Sequence, residues 1–326
     1  SKHYERKTCD GCIRWFIIEG VKRLFSSLAF AEHNVQGYRV PTSSFYIVIM
    51  IKTQKTKTLV TKPNNNSANA IAPNLIYGCF GGCVDTYCYM SRYNGRRVFV
   101  NENYLDIVDS VFHWATTYEK TPDQQDPVYK MVDIACNTDL VLMQKHMPLS
   151  LHDYLAYYDG HPEINTTMAT KYPGLLKLDV NHFFKRPRVR VSLMPQKYSD
   201  ILEPKMQKIE SRIQDINRLK NLGWEVHLNY SPLVFYPGWD KLYDKLFKDV
   251  LEHAGENKCE VIALTNHPLQ MAKASEEARE LMQYSKEVKN RSGVLRYPIK
   301  HKTRLLEEFK EIYRQYFSLE SIRYIF

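Results

Sequence analysis

The sequence predicts an α/β protein built as a partial (β/α)6 barrel, with an N-terminal extension over residues 1–69 and a barrel domain over residues 70–326 that ends in a helical segment. Three observations predict this. Between about residues 70 and 270, short β-branched runs alternate with stretches of helical period, the rhythm of parallel strands joined by crossover helices. A loop rich in glycine and cysteine follows the first of these strands, at the end of the sheet where such folds gather their chemistry. The chain, at 326 residues and 44% hydrophobic, is long enough to bury a core of that size.

In chain order, an apolar helix over Ile13 to Phe25 and a β-branched run over Phe45 to Ile51 occupy the extension. Lys52 to Asn69, rich in Lys, Thr and Asn and carrying Pro63, reads as a polar, partly mobile connection, which sets the boundary near residue 70. Strands are expected at Asn74 to Tyr77, Lys130 to Ala135, Thr166 to Thr170, Arg188 to Leu193, Glu225 to Ser231 and Glu260 to Leu264. Between them run three helical stripes. Leu105, Val108, Phe112 and Ala115 form the first. Ile209, Ile213, Ile216 and Leu219 form the second, stopped by Gly223; Leu242, Leu246 and Val250 form the third. Leu305, Leu306, Phe309, Ile312, Tyr313 and Tyr316 mark a last core-docking helix over Thr303 to Phe317.

Composition narrows the function classes. The longest apolar run is far too short to cross a bilayer, and no secretory leader precedes it, so a cytoplasmic address and no membrane partner are expected. Lys and Arg exceed Asp and Glu by 45 to 36, a net charge of +9 that favours a polyanion such as nucleic acid. The seven cysteines are clustered: Cys9 and Cys12, then Cys79, Cys83 and Cys88, then Cys136 and Cys259 alone. In a reducing compartment that pattern points to metal or redox chemistry before disulfides. There is no internal repeat and no nucleotide-type glycine fingerprint.

The segment Gly78-Cys79-Phe80-Gly81-Gly82-Cys83-Val84-Asp85-Thr86-Tyr87-Cys88 carries the most chemistry. Three thiolates suit an iron–sulfur cluster and leave one iron without a protein ligand, while the glycines let the backbone fold closely around an inorganic core. Zinc completed by a distant Cys or His, such as Cys9 and Cys12, or merely reduced buried thiols, would suit the same spacing.

The triplet, with an aromatic just before its last cysteine at the opening of a β/α barrel, resembles the signature of radical S-adenosylmethionine enzymes. Lys57-Thr58-Leu59, Lys62-Pro63, Tyr87-Cys88-Tyr89-Met90, Arg97-Val98-Phe99-Val100-Asn101 and Ala135-Cys136-Asn137-Thr138-Asp139 resemble, in order, segments of the spore photoproduct lyase family. Val191-Ser192-Leu193, Glu203-Pro204, Arg212-Ile213, Gly223-Trp224 and Pro237-Gly238-Trp239 continue the likeness, which covers roughly residues 55–326. The family has two residues between its second and third cysteines; here there are four, Val84 to Tyr87. Doubling a flexible loop costs about 0.6 kcal/mol of closure entropy against metal-binding energies of order 10 kcal/mol, so the cluster is expected to survive.

What the resemblance implies is a radical lyase that repairs the thymine–thymine lesion spore photoproduct in DNA, with a four-iron four-sulfur cluster on Cys79, Cys83 and Cys88 and S-adenosylmethionine chelated at the open iron. It implies Cys136 as the thiol that returns a hydrogen atom, with Tyr87 and Tyr89 beside the cluster passing it back and Tyr87 near the cofactor. Thr138, Lys171 and Ser192 match cofactor-contacting positions, and Arg296, Tyr297 and Lys300 a lesion-contacting region within the basic stretch from Arg291 to Arg304. An electron donor of the flavodoxin or ferredoxin type follows from the same chemistry. Met194 and Ser231 depart from the family, which leaves another nucleobase or nucleotide as the alternative substrate and a zinc-stabilised nucleic-acid-binding protein as a reading of a different class.

Overall fold

A computed structural model describes residues 13–14, 51–64, 66–88, 97–120, 125–288 and 293–326. One sheet of eight strands forms the centre. Its strands are β1 (Lys62–Pro63), β2 (Ala70–Ile71), β3 (Lys130–Asp133), β4 (Ile164–Thr170), β5 (Arg188–Leu193), β6 (Glu225–Leu233), β7 (Cys259–Ala263) and β8 (Ile322–Ile325). They lie side by side in chain order; β2 to β8 are all parallel, and β1 is antiparallel at the edge. Parallel neighbours need a crossover each time, and crossovers of one hand put the helices on one face. The sheet accordingly curls into an open half-barrel.

The described helices are α1 (Tyr104–Thr117), α2 (Leu140–Met143), α3 (Leu151–Asp159), α4 (Gln196–Leu202), α5 (Ile209–Asn221), α6 (Trp239–Ala254), α7 (Pro268–Met271), α8 (Glu276–Met282) and α9 (Ile299–Tyr313). On α5 all four expected apolar residues are buried, and Gly223 has φ +90, where a side chain would also collide with Asn181. Leu246 and Val250 bury the inner face of α6, joined by Tyr243 and Phe247. Phe247 meets Phe309 and Tyr313 of α9 edge to face, which docks that helix as its spacing predicts.

Several expectations are corrected. Asn74 to Tyr77 is not the first barrel strand: Ile76–Tyr77 pairs antiparallel with Val98–Asn101 in a second sheet, and Ala70–Ile71 takes the barrel position beside β3. Lys52 to Asn69 is not simply a connection, because Ile51–Gln54 runs parallel to Val98–Asn101 and Lys62–Pro63 joins the central sheet. Ile13–Arg14 is a strand paired with residues 51–52, not a helix start; the rest of Ile13 to Phe25 lies outside the described residues, as do Cys9 and Cys12. On α1 the buried face is Ile107, Val108, Val111, Trp114 and Ala115, leaving Leu105 49% exposed. β8 closes the far edge and had no counterpart in the expected strands.

The barrel interior carries charge. Arg190 lies 2.6 Å from Asp133 of β3 and 3.2 Å from Glu260 of β7. Lower down, Arg188 pairs with Glu225 at 3.0 Å, and the His227 ring bridges Glu225 and Arg323, each at 2.8 Å. Burial pushes the His227 imidazole down to about 3 despite the Glu225 carboxylate. The unfolded chain takes up that proton near pH 6.5 and the folded chain does not, so stability from this group is complete above pH 6.5 and falls with pH toward 3. Between pH 7 and pH 5, above the carboxylate range, unfolding free energy is expected to drop by about 2 kcal/mol. Urea titrations at the two pH values check this, and His227→Gln should lose that part of the slope; equal stabilities at both would contradict it.

Candidate active site

The cysteine loop is held from three sides. Gly78, at φ +85, donates its N–H to the Asn137 carbonyl (3.0 Å), and the Thr138 hydroxyl donates to the Gly78 carbonyl (2.8 Å). These bonds tie the loop to the turn after β3. A 3₁₀ turn over Gly82–Asp85 absorbs the long gap before Cys88, whose N–H closes back on the Cys83 carbonyl at 3.0 Å. On the third side the loop abuts the segment after α4. The Thr86 hydroxyl donates to the Leu202 carbonyl, and Gly82 lies so near Pro204 that a Cβ would fall 1.7 Å from its carbonyl oxygen.

Beneath the loop is a buried carboxylate. Glu203 takes the Tyr87 hydroxyl (2.6 Å) and the Lys171 ammonium (2.7 Å) on one oxygen and Arg212 (2.8 Å) on the other. Burial works against its charge, but Lys171 and Arg212 outweigh it and hold the carboxyl below its usual range. Arg212 also donates to the Ser192 carbonyl at 2.9 Å, so one cluster of charges connects the cysteine loop to the ends of β4 and β5.

Cys79, Cys83 and Cys88 line one niche of about 130 Å³, with Cys136, Thr138, Asp139, Lys171 and Ser192 on its other walls. Among the described residues, no three His, Cys, Asp or Glu side chains are drawn together as for a single ion. The backbone N–H groups of Gly81 and Asp139 favour the charged form of the Cys79 thiol. Burial and the neighbouring Cys88 still push its thiol up to about 12, and a hydrogen bond with Cys88 followed by burial raises that of Cys83. Cys79 and Cys83 thus sit where neither ionises easily alone, the condition that a cationic iron–sulfur core relieves. The thiol donor set and the niche that it lines fit such a group.

A larger cavity of about 570 Å³ at the carboxyl ends of β3 to β7 shares much of its lining with the niche. Cys83, Tyr87, Cys88, Cys136, Thr138, Lys171 and Ser192 all face it, so most of the residues singled out by sequence meet at one place. Cys136 is exposed in the turn after β3. Lys171 reaches the wall with its ammonium already held by Glu203 and the Ser231 carbonyl, and the Ser192 hydroxyl accepts the Asn229 amide at 3.4 Å. Tyr89 and Arg291 lie outside the described residues.

The basic stretch behaves differently. Tyr297 is not a stacking surface: it is 0% exposed, packs on the Phe235 ring, and its oxygen accepts the Phe235 N–H at 3.0 Å. Its place between polar neighbours hid a core tyrosine. Arg296 pairs with Glu287 across a short antiparallel pair (3.2 Å), Lys300 is exposed in the first turn of α9, and neither lines the cavity. Val294, from the same hairpin, does line it, together with Thr265, Asn266, His267 and Gln270. Sequence reasoning assigned no role to Glu203, Asp133, Arg190 or Asn229, although acids and arginines inside apolar strands were the available signal.

The open barrel of parallel strands, with a three-cysteine loop at its carboxyl end, is the fold of radical S-adenosylmethionine enzymes. The family model described as spore photoproduct lyase matches residues 28–325, and the chain belongs to that family. A spore photoproduct lyase from Clostridium acetobutylicum is 22% identical over 194 residues, 60% of this chain. The match spans little more than half of that relative's length (55%). Among solved structures, spore photoproduct lyase complexed with dinucleoside spore photoproduct superposes with a TM-score of 0.70 at 16% identity, covering 94% of this chain and 93% of that one. A double mutant of spore photoproduct lyase with bound AdoMet and dinucleoside spore photoproduct gives the same values.

Proposed function

We propose that this chain is a radical S-adenosylmethionine lyase that returns spore photoproduct in DNA to two thymines. The observation that carries the proposal is that the three loop thiols and Cys136 line the same niche, and that Cys83, Cys88 and Cys136 line the larger cavity as well. Family membership and the ligands named for the superposed structures support the same reading. When bound, the cluster and S-adenosylmethionine supply the radical that removes a hydrogen atom from the lesion.

Cys79, Cys83 and Cys88 would hold the cluster, and Thr138, Lys171 and Ser192 would border the cofactor. Cys136 gives the hydrogen of its S–H to the carbon radical left on thymine when the methylene bridge breaks. An S–H bond is lost, a C–H bond forms, and the unpaired electron passes to sulfur. Tyr87 and Tyr89, which flank Cys88 in the sequence, would return a hydrogen atom to that sulfur. Lesion and product are isomers, so the repair step itself consumes no oxidant or reductant; starting the reaction calls for an electron donor of the flavodoxin or ferredoxin type. The net positive charge favours the DNA backbone, and the reduced thiols suit a reducing compartment such as the cytoplasm.

Anaerobically reconstituted protein, given a lesion-bearing oligonucleotide, should restore two thymines in the strand while cleaving S-adenosylmethionine. In Cys136→Ala, cleavage should continue while the product shifts to adducts formed at the unquenched thymine radical. Cofactor cleavage without restoration of thymine by the unmutated protein would point to another nucleobase substrate, and an unchanged product from Cys136→Ala would remove that residue from the mechanism.

A further inference from the structure

We propose that Asp133 and Arg190 are positioning residues for Cys136, acting through the peptide that precedes it; this rests on the reading of Cys136 as the hydrogen-atom donor. The Asp133 carboxylate accepts the N–H of Ala135 at 2.9 Å on one oxygen and is gripped by Arg190 at 2.6 Å on the other. Arg190, 4% exposed, is fixed in turn by Glu260, which is wholly buried. A carboxylate accepting the N–H two residues ahead is a common turn device, and at a surface it exchanges freely with water. Here the side chain cannot rotate away without leaving an arginine half-paired in the barrel interior.

The rest of the turn is anchored on either side of that link. Ile134 donates to the Thr167 carbonyl at 3.0 Å, while the Thr138 N–H reaches the Ala135 carbonyl at 3.3 Å. The N–H of Ala135, immediately before Cys136, is held by the Asp133 side chain. Both Asp133 and Arg190 also line the cavity, so the device sits at the floor of the space it serves. Hydrogen-atom transfer needs sulfur at close range, and a misplacement of about 1 Å is enough to cost orders of magnitude in a positioned step.

Three variants test this: Asp133→Asn, Asp133→Ala and Arg190→Gln. Two quantities are read, the alkylation rate of Cys136 resolved by peptide mass mapping, and thymine formed per S-adenosylmethionine cleaved. Asparagine keeps an oxygen for the Ala135 N–H and is expected to stay within about twofold of wild type on both, whereas alanine and Arg190→Gln should raise alkylation and lower the thymine fraction at least about fivefold. The proposal is overturned if all three match wild type, or if Asp133→Asn behaves as Asp133→Ala, since that would mark a charge needed only for stability. Should Asp133→Ala fail to fold, Arg190→Gln and Asp133→Asn decide on the same criteria. Alkylation reports the turn even if Cys136→Ala leaves repair unchanged, so failure of the positioning role and failure of the donor reading give different results.

Discussion

Gly82→Ala is expected to strip the protein of its iron–sulfur cluster, whereas Gly81→Ala should leave most of it in place. A Cβ on Gly82 would meet the Pro204 carbonyl oxygen at 1.7 Å and its carbon at 2.8 Å, both rigid backbone. Neither side can yield cheaply, because Thr86 is bonded to Leu202 and Tyr87 to Glu203 across the same contact. Overpacking of this kind costs about 1–3 kcal/mol and displaces the turn that spaces Cys83 from Cys88. At Gly81 the nearest atom is the terminal methyl of Met206 at 2.7 Å, the free end of a flexible side chain that can swing aside. Iron and sulfide analysis after anaerobic reconstitution separates the two: about four of each per chain for Gly81→Ala and close to none for Gly82→Ala. Equal loading would show that the close approach to Pro204 is not what shapes the loop.

The second large effect is on stability. Glu203→Gln should lower the free energy of unfolding by about 3–5 kcal/mol, because it leaves a fully buried Arg212 and a mostly buried Lys171 without their counter-charge. Arg212→Met should cost a similar amount by stranding the carboxylate, and Glu203→Gln combined with Arg212→Met should cost less than the sum of the two. Denaturant titration of the three proteins measures the coupling; strict additivity would mean that the pair does not interact as the distances indicate. Wild-type protein should show the same weakness in acid. The folded carboxyl is depressed, so its contribution is full above the ordinary glutamate range and is lost as pH falls through the folded value.

The chemistry was easier to read from the sequence than its supports. Cysteine spacing and the Ala135-Cys136 turn are local signals, and both map onto one cavity because loops after successive parallel strands emerge at the same end of the sheet. Strand faces were harder. Arg188 and Arg190 alternate with valines, a pattern that ordinarily places charge in water, yet in a curled sheet the concave face is interior and these arginines are buried. Periodicity gives the alternation without saying which side is enclosed. Tyr297 failed for a related reason: amid Arg296, Lys300 and Lys302 it looked like a surface aromatic, and only the packing of Phe235 against it shows a core residue. Ala70–Ile71 and Ile76–Tyr77 are two-residue strands, too short for any periodic signal to tell which one joins the barrel.

The Gln270 amide on α7 grips the carbonyl of Cys88 itself. The cavity's outer rim and the third sulfur are therefore parts of one lever: pushing Pro268–Met271 outward, as a bulky guest pressing on that rim would, also pulls on the peptide that aims Sγ. A load on that rim therefore bears on the backbone that carries the Cys88 thiol.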